Sequence, residues 1–145
     1  MTTTSSVTEI AAELRVAVAR TARRLRQETG LDLTATQIAA LAVLDLHGTL
    51  TPSELAAREQ IGRPTATRLI ARLEERCLVS RTRDPSDGRV SMIALTDEGR
   101  TLVREQRKRK TAFLARRLEA LEPHERELLE RASRLLERIV DEDRS

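Results

Sequence analysis

The chain has 145 residues, 39% of them hydrophobic and 1% aromatic. That is enough for one domain with an aliphatic core of Leu, Ile, Val and Ala, which suits helices better than a β-sandwich. The formal charge is only +3 although 34% of residues are charged, so the placement of the arginines matters more than their sum. The single Cys excludes an intrachain disulfide framework, no apolar run reaches the roughly 18 residues that span a bilayer, and the polar start lacks a signal-peptide core. A cytoplasmic protein is expected.

From Val7 the apolar residues Ile10, Ala11, Leu14, Val18 and Leu25 recur at helical spacing until Gly30, predicting an amphipathic first helix. Thr34 can cap a second helix, with Gln37 reaching back to close a capping box and Ile38, Leu41 and Leu44 on its buried side. After the His47-Gly48 turn, Thr51, Pro52 and Glu54 supply an N-cap, a first-turn proline and a capping-box acid for a short third helix. Gln60 to Gly62 then connect tightly to a fourth, so that Thr51 to Cys77 has the shape of a helix-turn-helix.

On this fourth helix, 100° per residue places Ala66, Leu69, Ile70, Leu73 and Cys77 on one arc facing the core. The opposite arc carries Pro64, Thr67, Arg68, Ala71 and Arg72, with no acid before Glu74. That face suits the major groove of DNA, because Arg can pair with guanine O6 and N7 and Thr with bases or phosphate. The period then changes to that of strands, Leu78 to Arg83 and Val90 to Leu95, around a turn of Asp84 to Gly88. Arg81 and Arg83 fall on one face of the first strand and Arg89 sits where the ribbon returns, which makes the hairpin a probe for phosphates or a narrow minor groove.

Thr96 opens a long helix that should reach about Leu121. Its basic block, Arg104, Arg107, Lys108, Arg109 and Lys110, reads as a solvated face or a phosphate contact. Pro123 precedes a last helix whose stripe of Leu128, Leu129, Ala132, Leu135, Leu136, Ile139 and Val140 needs a partner on both sides. Pairing of two copies through the first and last helices would satisfy it. Two-fold symmetry would then set two recognition helices about 34 Å apart, one turn of B-DNA, making a palindromic site the natural target.

Three stretches carry a resemblance: Thr51-Pro52-Ser53-Glu54-Leu55-Ala56; Arg63-Pro64-Thr65-Ala66-Thr67-Arg68-Leu69 with Leu73-Glu74; and Asp84-Pro85-Ser86-Asp87-Gly88-Arg89 followed by Leu95-Thr96-Asp97-Glu98-Gly99. The chain resembles the multiple-antibiotic-resistance regulator (MarR) family of winged helix-turn-helix transcription factors, by motif over Leu33 to Gly99 and by pattern in the flanking helices. The resemblance implies a mainly α fold with a small β-hairpin wing. A disordered tail would occupy 1–6, helical dimerisation regions 7–30 and 100–145, and the DNA-binding lobe 31–99. It implies a homodimeric repressor, nucleoid-associated when bound to a palindromic operator and released by a small lipophilic effector in an aliphatic pocket. Thr65, Thr67 and Arg68 would enter the major groove, and Arg89, oriented by Asp87, the minor. With Arg63, Pro64, Arg72, Arg81 and Arg83 these form the candidate DNA-binding set. Family members often carry Ser before the Arg-Pro-Thr run, where Gly62 offers no side-chain cap.

No cofactor is expected: His47, His124 and Cys77 lack the clustered spacing of metal ligands, and Cys77 reads as a core thiol rather than a sensor. No Gly-rich phosphate loop or activated nucleophile supports an enzyme. The remaining alternative is a helical interaction module whose Arg faces bind an acidic protein.

Overall fold

The computed structural model describes residues 4–141, as six helices and one two-stranded sheet. The order is α1 (Val7–Glu28), α2 (Ala35–His47), α3 (Pro52–Glu59), α4 (Arg63–Glu75), β1 (Val79–Arg83), β2 (Ser91–Leu95), α5 (Asp97–Glu119) and α6 (Pro123–Asp141). Local chemistry sets most of the boundaries. The Ser6 hydroxyl accepts the Glu9 N–H while the Glu9 carboxylate accepts the Ser6 N–H, so helical order begins at the end of the tail expected to be disordered. Residues 1–3 of that tail, and 142–145 of the expected C-terminal region, lie outside the described residues.

Thr34 and Gln37 form the reciprocal capping box predicted for α2. At α3 the Thr51 hydroxyl accepts the Glu54 N–H at 3.1 Å and donates to the Glu54 carboxylate at 3.0 Å. The acid there grips the capping hydroxyl rather than the backbone amide that a capping box would use.

The fourth helix ends earlier than its apolar stripe. Cys77 adopts φ 58°, its N–H donates to the Glu74 carbonyl, and the Leu78 N–H donates to the Leu73 carbonyl, the bond pattern of a Schellman cap. Leu73 and Leu78 are both buried and supply the apolar contact of that cap. The left-handed turn swings Cys77 off the core arc, and its thiol is exposed rather than buried.

The core is a single cluster in which Ala40, Leu41 and Leu44 of α2 meet Leu55 of α3, Leu69, Ile70 and Leu73 of α4, and Val79, Ile93 and Leu95 of the hairpin. Val103 of α5 belongs to it as well, so the packing of the lobe runs past residue 99. The strands pair antiparallel from Val79 opposite Leu95 to Arg83 opposite Ser91. Leu50 adds a short bridge on the other side of β2, exchanging backbone bonds of 3.0 and 2.7 Å with Ile93.

The junction of hairpin and α5 explains the Leu-Thr-x-x-Gly motif. Thr96 accepts the Gly99 N–H and donates its hydroxyl to the Cys77 carbonyl, tying the start of α5 to the end of α4. A Cβ on Gly99 would stand 2.1 Å from the Leu78 carbonyl oxygen, so no larger residue fits that approach.

The basic block of α5 is exposed at Arg104, Arg107, Lys108 and Arg109, and two of these arginines also reach other helices. Arg107 pairs with Asp45 of α2 at 2.8 Å, and Arg109 donates to the Thr29 carbonyl at the end of α1. Lys110 lies partly buried near Arg26 and Arg107, and burial followed by those two charges lowers its pKa. These contacts join α5 to the rest of the fold. No residue of α1 or α6 is buried. No helix among the described residues is long and apolar enough to cross a membrane.

Candidate nucleic-acid interface

Two exposed features converge on one side of the lobe: the N-terminal half of α4 and the hairpin. Helix α4 starts at Gly62, which makes no side-chain cap bond, with Pro64 in its first turn. Its core arc of Ala66, Leu69, Ile70 and Leu73 is buried as predicted, which by helical geometry turns Arg63, Pro64, Thr65, Thr67, Arg68 and Arg72 outward, all exposed. Thr67 donates its hydroxyl to the Arg63 carbonyl at 2.9 Å, leaving its oxygen lone pairs and methyl group available.

The hairpin tip is built by its acids. The Asp84 carboxylate accepts the Ser86 N–H at 2.8 Å and the Ser86 hydroxyl at 2.7 Å, an Asx turn. Those bonds hold the Asp84 carboxyl below its ordinary pKa, so it stays ionised at neutral pH. Asp87 accepts the Arg89 backbone N–H at 3.1 Å and its Nε at 3.4 Å. The Arg89 side chain is otherwise free, with 93% of it exposed, so the acid aims the guanidinium without covering it.

The other two wing arginines are engaged. Arg83 donates to the Gly88 carbonyl at 3.0 Å and braces the turn. Arg81 donates Nε and Nη2 to a single oxygen of Glu74, at 3.1 and 2.7 Å. Sequence periodicity placed both on one strand face without showing these partners.

Between α4 and the wing runs an open groove of about 430 Å³ lined by Thr51, Pro52, Ser53, Arg63, Ala66, Thr67, Arg81, Arg89, Val90 and Ser91. It holds three arginines and no acidic residue. The start of α3 and the entry to β2 at Val90 and Ser91 are not in the candidate set read from the sequence, because a groove wall is made by tertiary neighbours and leaves no local signal. A second depression, lined by Thr34, Thr36, Gln37, Thr65, Arg68, Leu69 and Arg72, sets the N-terminus of α2 beside the exposed face of α4.

Away from this side, α1 and α5 enclose a cleft of about 590 Å³. Arg20, Arg23, Arg24 and Arg117 line it together with Thr21, Leu25, Gln27 and Phe113. Arg24 and Arg117 lie 4.9 and 5.0 Å from the ring centroid of Phe113, within cation–π range.

The chain is similar to known proteins along most of its length. A family model described as the MarR family matches residues 33–91. An HTH-type transcriptional regulator of Mycobacterium tuberculosis is 36% identical over 134 residues, covering 92% of this chain and 94% of that protein. The HTH-type transcriptional repressor MdtR of Bacillus subtilis is 40% identical over 94 residues, covering 64% of this chain and 60% of that one. Among solved structures, a MarR family protein of Bacillus stearothermophilus superposes with a TM-score of 0.79 at 31% identity, covering 92% of this chain and 94% of that chain. The exposed face of α4, the arginine-tipped hairpin beside it and these relatives agree: the chain belongs to the MarR family of DNA-binding, winged helix-turn-helix transcriptional regulators.

Proposed function

We propose that the protein is a homodimeric repressor that binds a palindromic operator and is released by a small-molecule effector. The observation that carries its DNA contact is the groove between α4 and the wing, lined by Arg63 and Thr67 from the helix and by Arg81 and Arg89 from the hairpin with no acidic residue among its lining. A duplex laid across this side would place Thr65, Thr67 and Arg68 in the major groove, where Arg reads guanine, and the Asp87-aimed Arg89 in the minor groove. Arg63 and Arg72 flank those positions as phosphate contacts, and Pro64 starts the helix that carries them.

Dimerisation is supported by the apolar surface of α1 and α6, from Val7 at 84% exposed to Leu128 at 66%, which a second copy would cover. In this reading 31–99, with Val103 added by its packing, forms the DNA-binding lobe, and 7–30 and 100–145 the dimerisation region. The repressor MdtR among the relatives favours repression. An effector seated between α1 and α5 would meet four arginines and Phe113, a lining that suits an acidic ligand better than a wholly lipophilic one.

The test is a gel-shift titration on the operator mapped by footprinting. Arg68→Ala and Arg89→Ala should each weaken specific binding by about 1–3 kcal/mol while sedimentation shows an intact dimer. Specific affinity should also fall steeply with salt as counterions are released. Unchanged affinity in both variants overturns the assignment.

A further inference from the structure

The contact between Glu74 and Arg81 joins the two DNA probes to each other. Glu74 follows Thr67 by seven residues, about two turns further along the same stripe of α4, and Arg81 is the middle residue of β1. At this level the hairpin is fixed on its other edge as well, because Arg81 pairs with Ile93 and Ile93 is bonded to Leu50. Beyond it the ladder continues through Thr82–Met92 and Arg83–Ser91 to the tip that carries Arg89. The ion pair therefore sits halfway along the hairpin ladder, between the helix that would enter one groove and the hairpin tip that would enter the next.

We infer that Glu74 is a positioning residue for DNA recognition: it holds the Arg81 fork so that the wing keeps one angle to α4 and Arg89 reaches its groove while α4 occupies the neighbouring one. The inference rests on the DNA-binding reading above. Both side chains are partly exposed, 39% for Arg81 and 34% for Glu74, so solvent screens the pair and it adds little to fold stability. Its two bonds to one carboxylate oxygen instead fix a direction, which a planar guanidinium does and a Lys ammonium does not. The pair also accounts for an acid near a surface otherwise suited to a polyanion. By charge alone, removing that acid would tighten DNA binding; as a positioning residue, its removal loosens it.

The experiment measures affinity of the full-length protein for its mapped operator by fluorescence anisotropy, in a cycle with Arg89→Ala. Glu74→Gln and Arg81→Lys should each weaken binding about fivefold or more, yet change it less than about twofold in the Arg89→Ala background, because the two positions act through one contact. A dye on Cys in Gly88→Cys, made in a Cys77→Ser background, reports wing motion without DNA, since nothing crowds a Cβ at Gly88. Its nanosecond wobble should widen in both variants, while the thermal midpoint stays unchanged. Equal or tighter operator binding by Glu74→Gln, equal weakening in both backgrounds, or an unchanged wobble overturns the inference. If the Arg89→Ala variant binds with unchanged affinity, the minor-groove contact in the functional reading fails instead, and the wobble still decides whether the pair sets the wing.

Discussion

The lobe from α2 to β2 and the pair of terminal helices solve burial in opposite ways. The lobe places apolar residues of every element in one shared cluster, and Leu41, Leu44, Leu55, Ile70, Leu73 and Ile93 are almost completely buried. Helices α1 and α6 bury none of theirs: Ile10, Leu14, Val16 and Val18 on one, and Leu128, Leu129, Leu135, Ile139 and Val140 on the other, remain exposed. Both regions carry amphipathic stripes of similar composition. The difference is that the lobe's stripes converge on each other, whereas those of the terminal helices point to surfaces that a single chain does not provide.

The largest effect should come from breaking the exposed side of this contrast. Leu128→Glu combined with Ile139→Glu puts charge where the proposed second copy would bury aliphatic surface, so sedimentation should show monomers at concentrations where the parent protein is expected to sediment as a dimer. The lobe should keep its cooperative unfolding, because neither residue touches its core. Loss of both dimer and lobe together would show that the two regions are not separable.

The next test strikes the lobe alone. Gly99→Ala forces a Cβ toward the Leu78 carbonyl at 2.1 Å, so the start of α5 must move away from the hairpin. A loss of about 1–3 kcal/mol is expected from urea unfolding, with self-association retained.

Two smaller changes sharpen the picture of how the lobe ends its helices. Cys77→Gly removes a Cβ from a left-handed position and should stabilise by about 0.5–1 kcal/mol, the relief of strain less the added backbone entropy of Gly. Gly62→Ser introduces a hydroxyl at an N-cap with ordinary extended geometry, φ −73° and ψ 157°. It should stabilise by a few tenths of a kcal/mol. Denaturant midpoints check both, and a destabilised Cys77→Gly would mean that the thiol makes a contact of its own.

Much of this fold was legible in the residues because it depends on near neighbours. Thr34 with Gln37, Thr51 with Glu54, and Thr96 with Gly99 announce helix starts by hydrogen bonds that span three positions, and Asp84 to Gly88 announce a turn because its bonds are equally local. The outward arc of α4 also followed directly, since one buried face at 3.6 residues per turn settles the other. Cys77 misled because the stripe was extended past a cap whose bonds involve the core position of Leu78. The α5 arginines are exposed as their pattern suggested, but the partners of Arg107 and Arg109, Asp45 and the Thr29 carbonyl, were not legible because they lie far away in the chain.

On the recognition surface, helical period and turn chemistry already set which residues face outward and where the hairpin turns, since both are local. Tertiary structure decided which of those residues are free to act. Arg89 remains exposed with Asp87 behind it, while Arg81 and Arg83, equally cationic and on the same strand, are occupied by Glu74 and the Gly88 carbonyl. Periodicity gives the direction of a side chain, but the partner that claims its charge is brought to it only by the packing of the strand on the helix.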